Sequence, residues 1–255
     1  MVIPPAKIPA KLAWFMGLLY REPVDDSLTI ADRFCGPPGT ANGGYLAGRL
    51  VALVGGEAEV TLRRATPLGR SLRVARRGGG VDLYDGEALT AQARAVSLDV
   101  EIPRAVSVAE AEAGAHAFPR FQNHPVPGCF VCGVDRQPGD GLRIFPGPVP
   151  GREEIYAAPW IPDVSLADDE GIIRREFLWA ALDCAGAFAV NEPPRGLALL
   201  GRIAARAVGR AVAGETLVVA AWPIACDGRK LQPGTAIFSA QGEPIAVARA
   251  TWILT

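Results

Sequence analysis

Asp183 lies inside the run 177–190 (FLWAALDCAGAFAV), the most apolar helix candidate of the 255-residue chain. A carboxylate there is expensive to bury unless it is paired, hydrogen-bonded or used in a reaction. The chemistry it offers is proton abstraction from water, or direct attack on an electrophilic carbon. A second stretch, 40–48 (TANGGYLAG), puts Asn42, Gly43 and Gly44 at the start of an apolar-striped segment. The first N–H groups of a helix lack internal partners and sit at the positive end of its dipole. Glycines let a bulky group come close to them, so the Gly44 N–H is a candidate oxyanion donor, with Gly43 beside it. Plainer readings stand beside both motifs. Asn42 is then an ordinary N-cap, and Asp183 a buried carboxylate satisfied by arginine or backbone groups.

Cys129-Phe130-Val131-Cys132-Gly133 is a third motif. A lone Cys-x-x-Cys supplies two soft ligands where tetrahedral zinc wants four. His124 is a candidate third, and Cys35, Cys184 or Cys226 a distant fourth, but there is no second such pair, so no metal is expected. Tyr45 and Trp179 are candidates to line an apolar pocket, although aromatics at helical spacing commonly serve the core. Arg63, with Arg64, Arg174 and Arg175, is a candidate for phosphate contacts. Of the 26 basic residues only Lys7, Lys11 and Lys230 are lysines, so an arginine on its own says little, and a solvated face is the plainer reading.

The elements that must position these residues fall into two blocks. The first reads as a strand (27–34), a Gly/Pro loop, a helix (44–54) closed by Gly55-Gly56, then strands at 58–64, 71–75, 81–84 and 88–100. Residues 102–128 break the rhythm, with a short solvated helix at 107–115 and then prolines 119, 125 and 127. The second block has strand candidates at 142–145 and 154–158, an acidic loop at 161–171, the long helix 177–190 stopped by Pro193-Pro194, and strands at 198–208, 216–223, 236–240 and 245–254. Residues 197–212 also fit a helix. Strand, helix, then antiparallel strands, twice over, predicts an α+β architecture with a tandem repeat: units 1–101 and 129–255, and a connecting segment 102–128.

Twenty-six basic against 27 acidic residues leave a net charge of -1. No basic excess draws the chain onto nucleic acid or an anionic membrane. Five cysteines, two of them three positions apart, do not form a disulfide framework, and the apolar run 12–20 is too short to span a bilayer. A cytoplasmic protein is the expectation. The two histidines lie in the connecting segment, and no G-x-S-x-G, P-loop or dinucleotide fingerprint occurs.

The Asn42-Gly43-Gly44 helix start is similar to the His-Gly-Gly start of hotdog-fold acyl-CoA thioesterases of the phenylacetate-pathway type, with Asn42 in place of histidine. The Cys129–Gly133 segment with Gly141-Leu142 resembles the opening before the first strand of many such proteins. The resemblance implies a double hotdog: two fused units, each a long helix wrapped by a curved antiparallel sheet. In the family a helix carboxylate lies nine positions after the motif histidine. Nine forward from Asn42 is Val51, and nine back from Asp183 is Arg174, so each half lacks what the other has. The resemblance therefore implies one composite site, Asn42, Gly43 and Gly44 with Asp183, hydrolysing an acyl thioester such as acyl-CoA. The opposite end, Val51 with Arg174, Arg175 and Glu176, is expected to be inert. No cofactor is implied beyond coenzyme A as part of the substrate, and further assembly into a homo-oligomer is expected through sheet edges. The alternative is a hotdog module that binds an acyl thioester or another apolar ligand without reaction, or a scaffold.

Overall fold

The computed structural model describes residues 26–118, 121 and 123–255; the apolar run 12–20 lies outside them. The first half contributes β1 (Asp26–Leu28), a 3-10 turn (Asp32–Phe34), helix α1 (Gly43–Val54) and strands β2 (Ala58–Leu62), β3 (Leu72–Arg77), β4 (Gly80–Asp85) and β5 (Ala88–Ala95). Helix α2 (Val108–His116) follows. The second half contributes β6 (Gly147–Val149), β7 (Arg152–Trp160), helices α3 (Arg175–Ala181) and α4 (Cys184–Val190), and strands β8 (Ala198–Ala207), β9 (Leu217–Asp227), β10 (Lys230–Ser239) and β11 (Pro244–Leu254). Among the described residues no helix is long and apolar enough to cross a membrane.

All eleven strands form one antiparallel sheet in the order β1-β3-β4-β5-β2-β8-β11-β10-β9-β7-β6. The β3–β4 hairpin turns on Gly78 and Gly79, both at positive φ (55° and 75°), as a tight turn matching strand twist requires. The halves meet where β2 pairs antiparallel with β8, Val60 opposite Ile203. The two helical segments lie together on one face of the joined sheet, Gly48 of α1 against Glu176 and Trp179 of α3, and share one core with Val60 and Ile203. Strand β9 shows how the faces divide. Leu217, Val219 and Ala221 enter the core beneath the helices, and Val218, Ala220 and Trp222 enter a second, smaller core on the other face.

That second core corrects the reading of the connecting segment. Helix α2 is not merely solvated: Ala111 and Gly114 are buried, and a Cβ at Gly114 would lie 2.9 Å from the Gly147 carbonyl oxygen. The helix covers the outer face of β6 and β7, and its start is held by a capping box between Ser107 and Glu110. Two strand expectations also fail, and a third, 88–100, is a strand only over Ala88–Ala95. Of 27–34 only Ser27 and Leu28 are strand, within Asp26–Leu28. Residues 142–145 form none, because the backbone N–H groups of Leu142 and Ile144 donate to Phe130 and Val131 in the cysteine-bearing turn instead of to the sheet. That turn consequently does not lead directly into a strand; the next strand begins at Gly147.

The largest departure is inside the long helix. Leu182 and Asp183 interrupt it, with Asp183 at φ -81° and ψ -82°, so Asp183 stands at the head of α4 instead of mid-helix. The buried Thr235 hydroxyl of β10 donates to the Leu182 carbonyl at 2.9 Å, supplying a partner at the break. Thr235→Val keeps the shape and removes that donor. We expect a loss of about 1–3 kcal/mol, the cost of a buried polar group left unpaired, read as a lower urea midpoint.

Candidate active site

Asn42 caps α1: its Oδ1 accepts from the Tyr45 N–H at 2.9 Å. Its amide nitrogen donates to Asp183 Oδ2, also at 2.9 Å, and the Gly44 N–H donates to the same oxygen at 2.9 Å. Two groups from the first half thus grip a carboxylate from the second. The close approach depends on Gly44, where a Cβ would lie 2.6 Å from both Asp183 Cβ and the Trp179 carbonyl oxygen. Asp183 is 2% exposed. Its other oxygen, Oδ1, has no hydrogen-bond partner among the described residues.

Burial pushes the Asp183 carboxyl up to about 7; the negative charge of Cys129 adds to the rise, and the Gly44 and Asn42 hydrogen bonds oppose it. The result is a group that changes protonation near neutrality, the range in which an acid–base group works. Three buried cysteines, Cys129, Cys132 and Cys184, adjoin it, with their sulfurs all within 4.8 Å of one another. Side-chain hydrogen bonding with Cys132 and then Cys184, opposed by burial, holds the Cys129 thiol well below the usual thiol range. The two donating thiols are pushed up in turn.

Asn42, Gly43, Asp183 and the three cysteines border a cavity of about 670 Å³. Leu46, Leu62, Phe188 and Leu200 supply apolar walls, and Arg63 and Arg64 also border it. The Gly43 N–H, first in the helix, has no protein acceptor among the described residues. At the opposite end of the helix pair, Arg175 and Trp179 with Glu57 and Arg206 border a space of only about 150 Å³. There Arg174 donates to the Ser165 carbonyl at 3.2 Å and stacks over Phe177.

Several sequence expectations change. Tyr45 does not line the cavity: it stacks on Phe34 with ring centroids 4.0 Å apart and packs against Phe130 and Phe177 in the core. Trp179 lies at the small opposite space, its Cβ close against Gly48. The Gly44 N–H is engaged by Asp183, which leaves Gly43, a residue bordering the cavity, as the helix-start backbone donor without a protein acceptor among the described residues. Arg63 borders the cavity as well, but its Nε donates to Gln92 Oε1 at 3.0 Å. His124, placed by sequence in the connection, is a cavity residue, as are residues 196–201. Cys184, a distant ligand candidate by sequence, borders the cavity beside Asp183; the 196–201 wall carries no local motif.

The structure of the tesB protein MAP1729c from Mycobacterium avium subsp. paratuberculosis superposes with a TM-score of 0.57 over 86% of this chain and 90% of that one, at 13% identity. A Novosphingobium aromaticivorans protein described as a thioesterase gives 0.58 over 90% and 94%, also at 13% identity. The chain has the hotdog fold of thioesterase-superfamily structures. A further hotdog match, a Lactobacillus plantarum protein described as an oleoyl thioesterase, gives 0.53 over 91% and 96% at 9% identity. No protein-family model matches the sequence, and none of the curated proteins does.

Proposed function

We propose that the chain is a thioester hydrolase, acting on an acyl-CoA at one composite site between two fused hotdog units. The observation that carries this reading is the Asp183 carboxylate, gripped across the two halves by Asn42 and Gly44, with its other oxygen buried and unpartnered and the residue bordering a 670 Å³ cavity. Asp183 Oδ1 takes a proton from water, and the water oxygen attacks the thioester carbonyl carbon. The carbonyl oxygen gathers negative charge beside the Gly43 N–H, at the positive end of α1. Collapse breaks the C–S bond, and the proton held by Asp183 passes to the departing sulfur. A carboxylic acid and a thiol leave. In this scheme Asn42 and Gly44 position the carboxylate, Gly43 touches the reacting oxygen, and Arg63 with Arg64 meets the phosphates of coenzyme A.

A binding-only reading has one observation in its favour: the Gly44 N–H is already occupied by Asp183. Thiol release from a panel of short, aromatic and long acyl-CoAs decides between them. Catalysis predicts enzyme-dependent thiol release from at least one member. Saturable binding across the panel with no release supports the binding module instead.

A further inference from the structure

The three-cysteine cluster plays no part in that scheme. Cys129 and Cys132 come from a turn, and Cys184 from the head of α4, 52 positions beyond Cys132. All five cysteines of the chain are free thiols, and these three are buried.

We propose that Cys129, Cys132 and Cys184 bind a soft divalent cation, Zn²⁺, as three thiolates, with the fourth coordination position open to the cavity beside Asp183. The sulfur spacing fits. Zn–S bonds of about 2.3 Å in a tetrahedron place sulfurs about 3.8 Å apart, and Cys129 Sγ lies 3.7 Å from Cys184 Sγ. The turn that carries two of the ligands is tightly closed. The Gly133 N–H donates to the Cys129 carbonyl at 2.9 Å. Only glycine fits there, since a Cβ would lie 2.4 Å from that carbonyl oxygen. A third shell of support comes from Asn42, whose amide nitrogen lies 3.9 Å from Cys129 Sγ and 4.0 Å from Cys184 Sγ. Donors at that position orient metal-bound thiolates and disperse their charge.

The surroundings of the cluster give a second argument. The three thiols and Asp183 share a buried wall, with Oδ1 of Asp183 unpartnered. The side-chain hydrogen bonds of these groups go to one another, to Asn42 and to Gly44, and no arginine or lysine donates to them among the described residues. Three thiolates in such a wall are costly to bury on their own, and a dication removes the cost. Binding displaces one proton for each thiol that is still protonated, leaving a site of three thiolates and one Zn²⁺ with net charge -1. An open fourth position takes water from the cavity that Asp183 and the three cysteines border. Simple packing of three thiols accounts for their burial but not for the glycine-closed turn or the stranded carboxylate oxygen.

The test uses the full chain, reduced, stripped with a chelator and titrated with Co²⁺ in place of Zn²⁺. About one Co²⁺ per chain is expected, with thiolate-to-cobalt charge-transfer absorption and the intense visible bands of tetrahedral cobalt, both lost on adding Zn²⁺. Cys184→Ser is expected to weaken Co²⁺ binding at least about tenfold, while Cys226→Ser, which alters an exposed cysteine away from the cluster, leaves it unchanged. Absence of the charge-transfer band from folded, reduced wild-type protein overturns the proposal whatever the variants do. Equal losses in the two variants overturn it as well. The readout is metal binding alone, so it stands or falls separately from thioester hydrolysis.

Discussion

Asp183→Asn is expected to lower kcat/KM for thioester hydrolysis by about 10²–10⁴-fold, the usual contribution of a positioned base, without unfolding the chain. Asparagine has the same shape, and its carbonyl oxygen can still accept from the Gly44 N–H and the Asn42 amide, which hold Oδ2 at 2.9 Å. What it lacks is a basic oxygen in place of the unpartnered Oδ1. Stability distinguishes loss of chemistry from loss of structure, and its pH dependence has a definite sign. The folded carboxyl titrates near 7, whereas an unfolded aspartate titrates near 4. The folded state therefore retains its proton more tightly, and wild-type stability from this group is present below about 4 and lost as pH rises through about 7. Relative to wild type, the asparagine variant gains stability across that window, which urea midpoints of chelator-treated protein at several pH values will show. An asparagine variant with wild-type activity removes Asp183 from the reaction.

Gly48→Ala is expected to have the largest effect on stability of any single methyl addition along α1. A Cβ at 48 would lie 2.5 Å from Glu176 Cα and 2.9 Å from Trp179 Cβ. The first of these is backbone, so no side-chain rotation relieves it. Alanine is the better helix former by about 1 kcal/mol, and in an exposed helix that gain would win. Here α1 and α3 must separate, and overpacking of this kind costs about 1–3 kcal/mol or more. Because Gly44 and Gly48 lie one turn apart on the same contact, separation at 48 also loosens the grip on Asp183. The expected result is a lower urea midpoint together with a lower kcat, and unchanged stability would show that the helix pair has room to relax.

Much of the fold was legible because it rests on local patterns. The helix at Gly43–Val54 follows the apolar stripe and its cap, and the later strands follow β-branched alternation and glycine turns. The pairing of Asn42 with Asp183, 141 positions apart, was legible only through the family resemblance, which implies a helix carboxylate nine positions after the glycine-rich start, and each half lacked one of the two. The break at Leu182–Asp183 was not, because it depends on a hydroxyl from β10 that only the folded sheet delivers. Tyr45 and Trp179 misled because periodicity says that a side chain is buried, not which cavity or core receives it. Cys184 stood in the sequence only as one of three distant ligand candidates, since it approaches Cys129 only once α4 and the 129–133 turn pack together.

The β2–β8 junction has an evolutionary corollary. When two identical chains meet across such a seam, every mutation is inherited twice, once at each end of the helix pair. Here the two ends belong to one polypeptide with different sequences, so each end drifts alone. One end carries the large cavity and the buried carboxylate, both liabilities for a folded protein. The other carries short-range ionic ties, Arg206 to Glu57 at 3.6 Å and Arg202 to Glu59 at 3.3 Å across the seam itself. Reinforcement and reactivity occupy separate addresses, and a substitution that reshapes the cavity need not be matched by a second one at the far end.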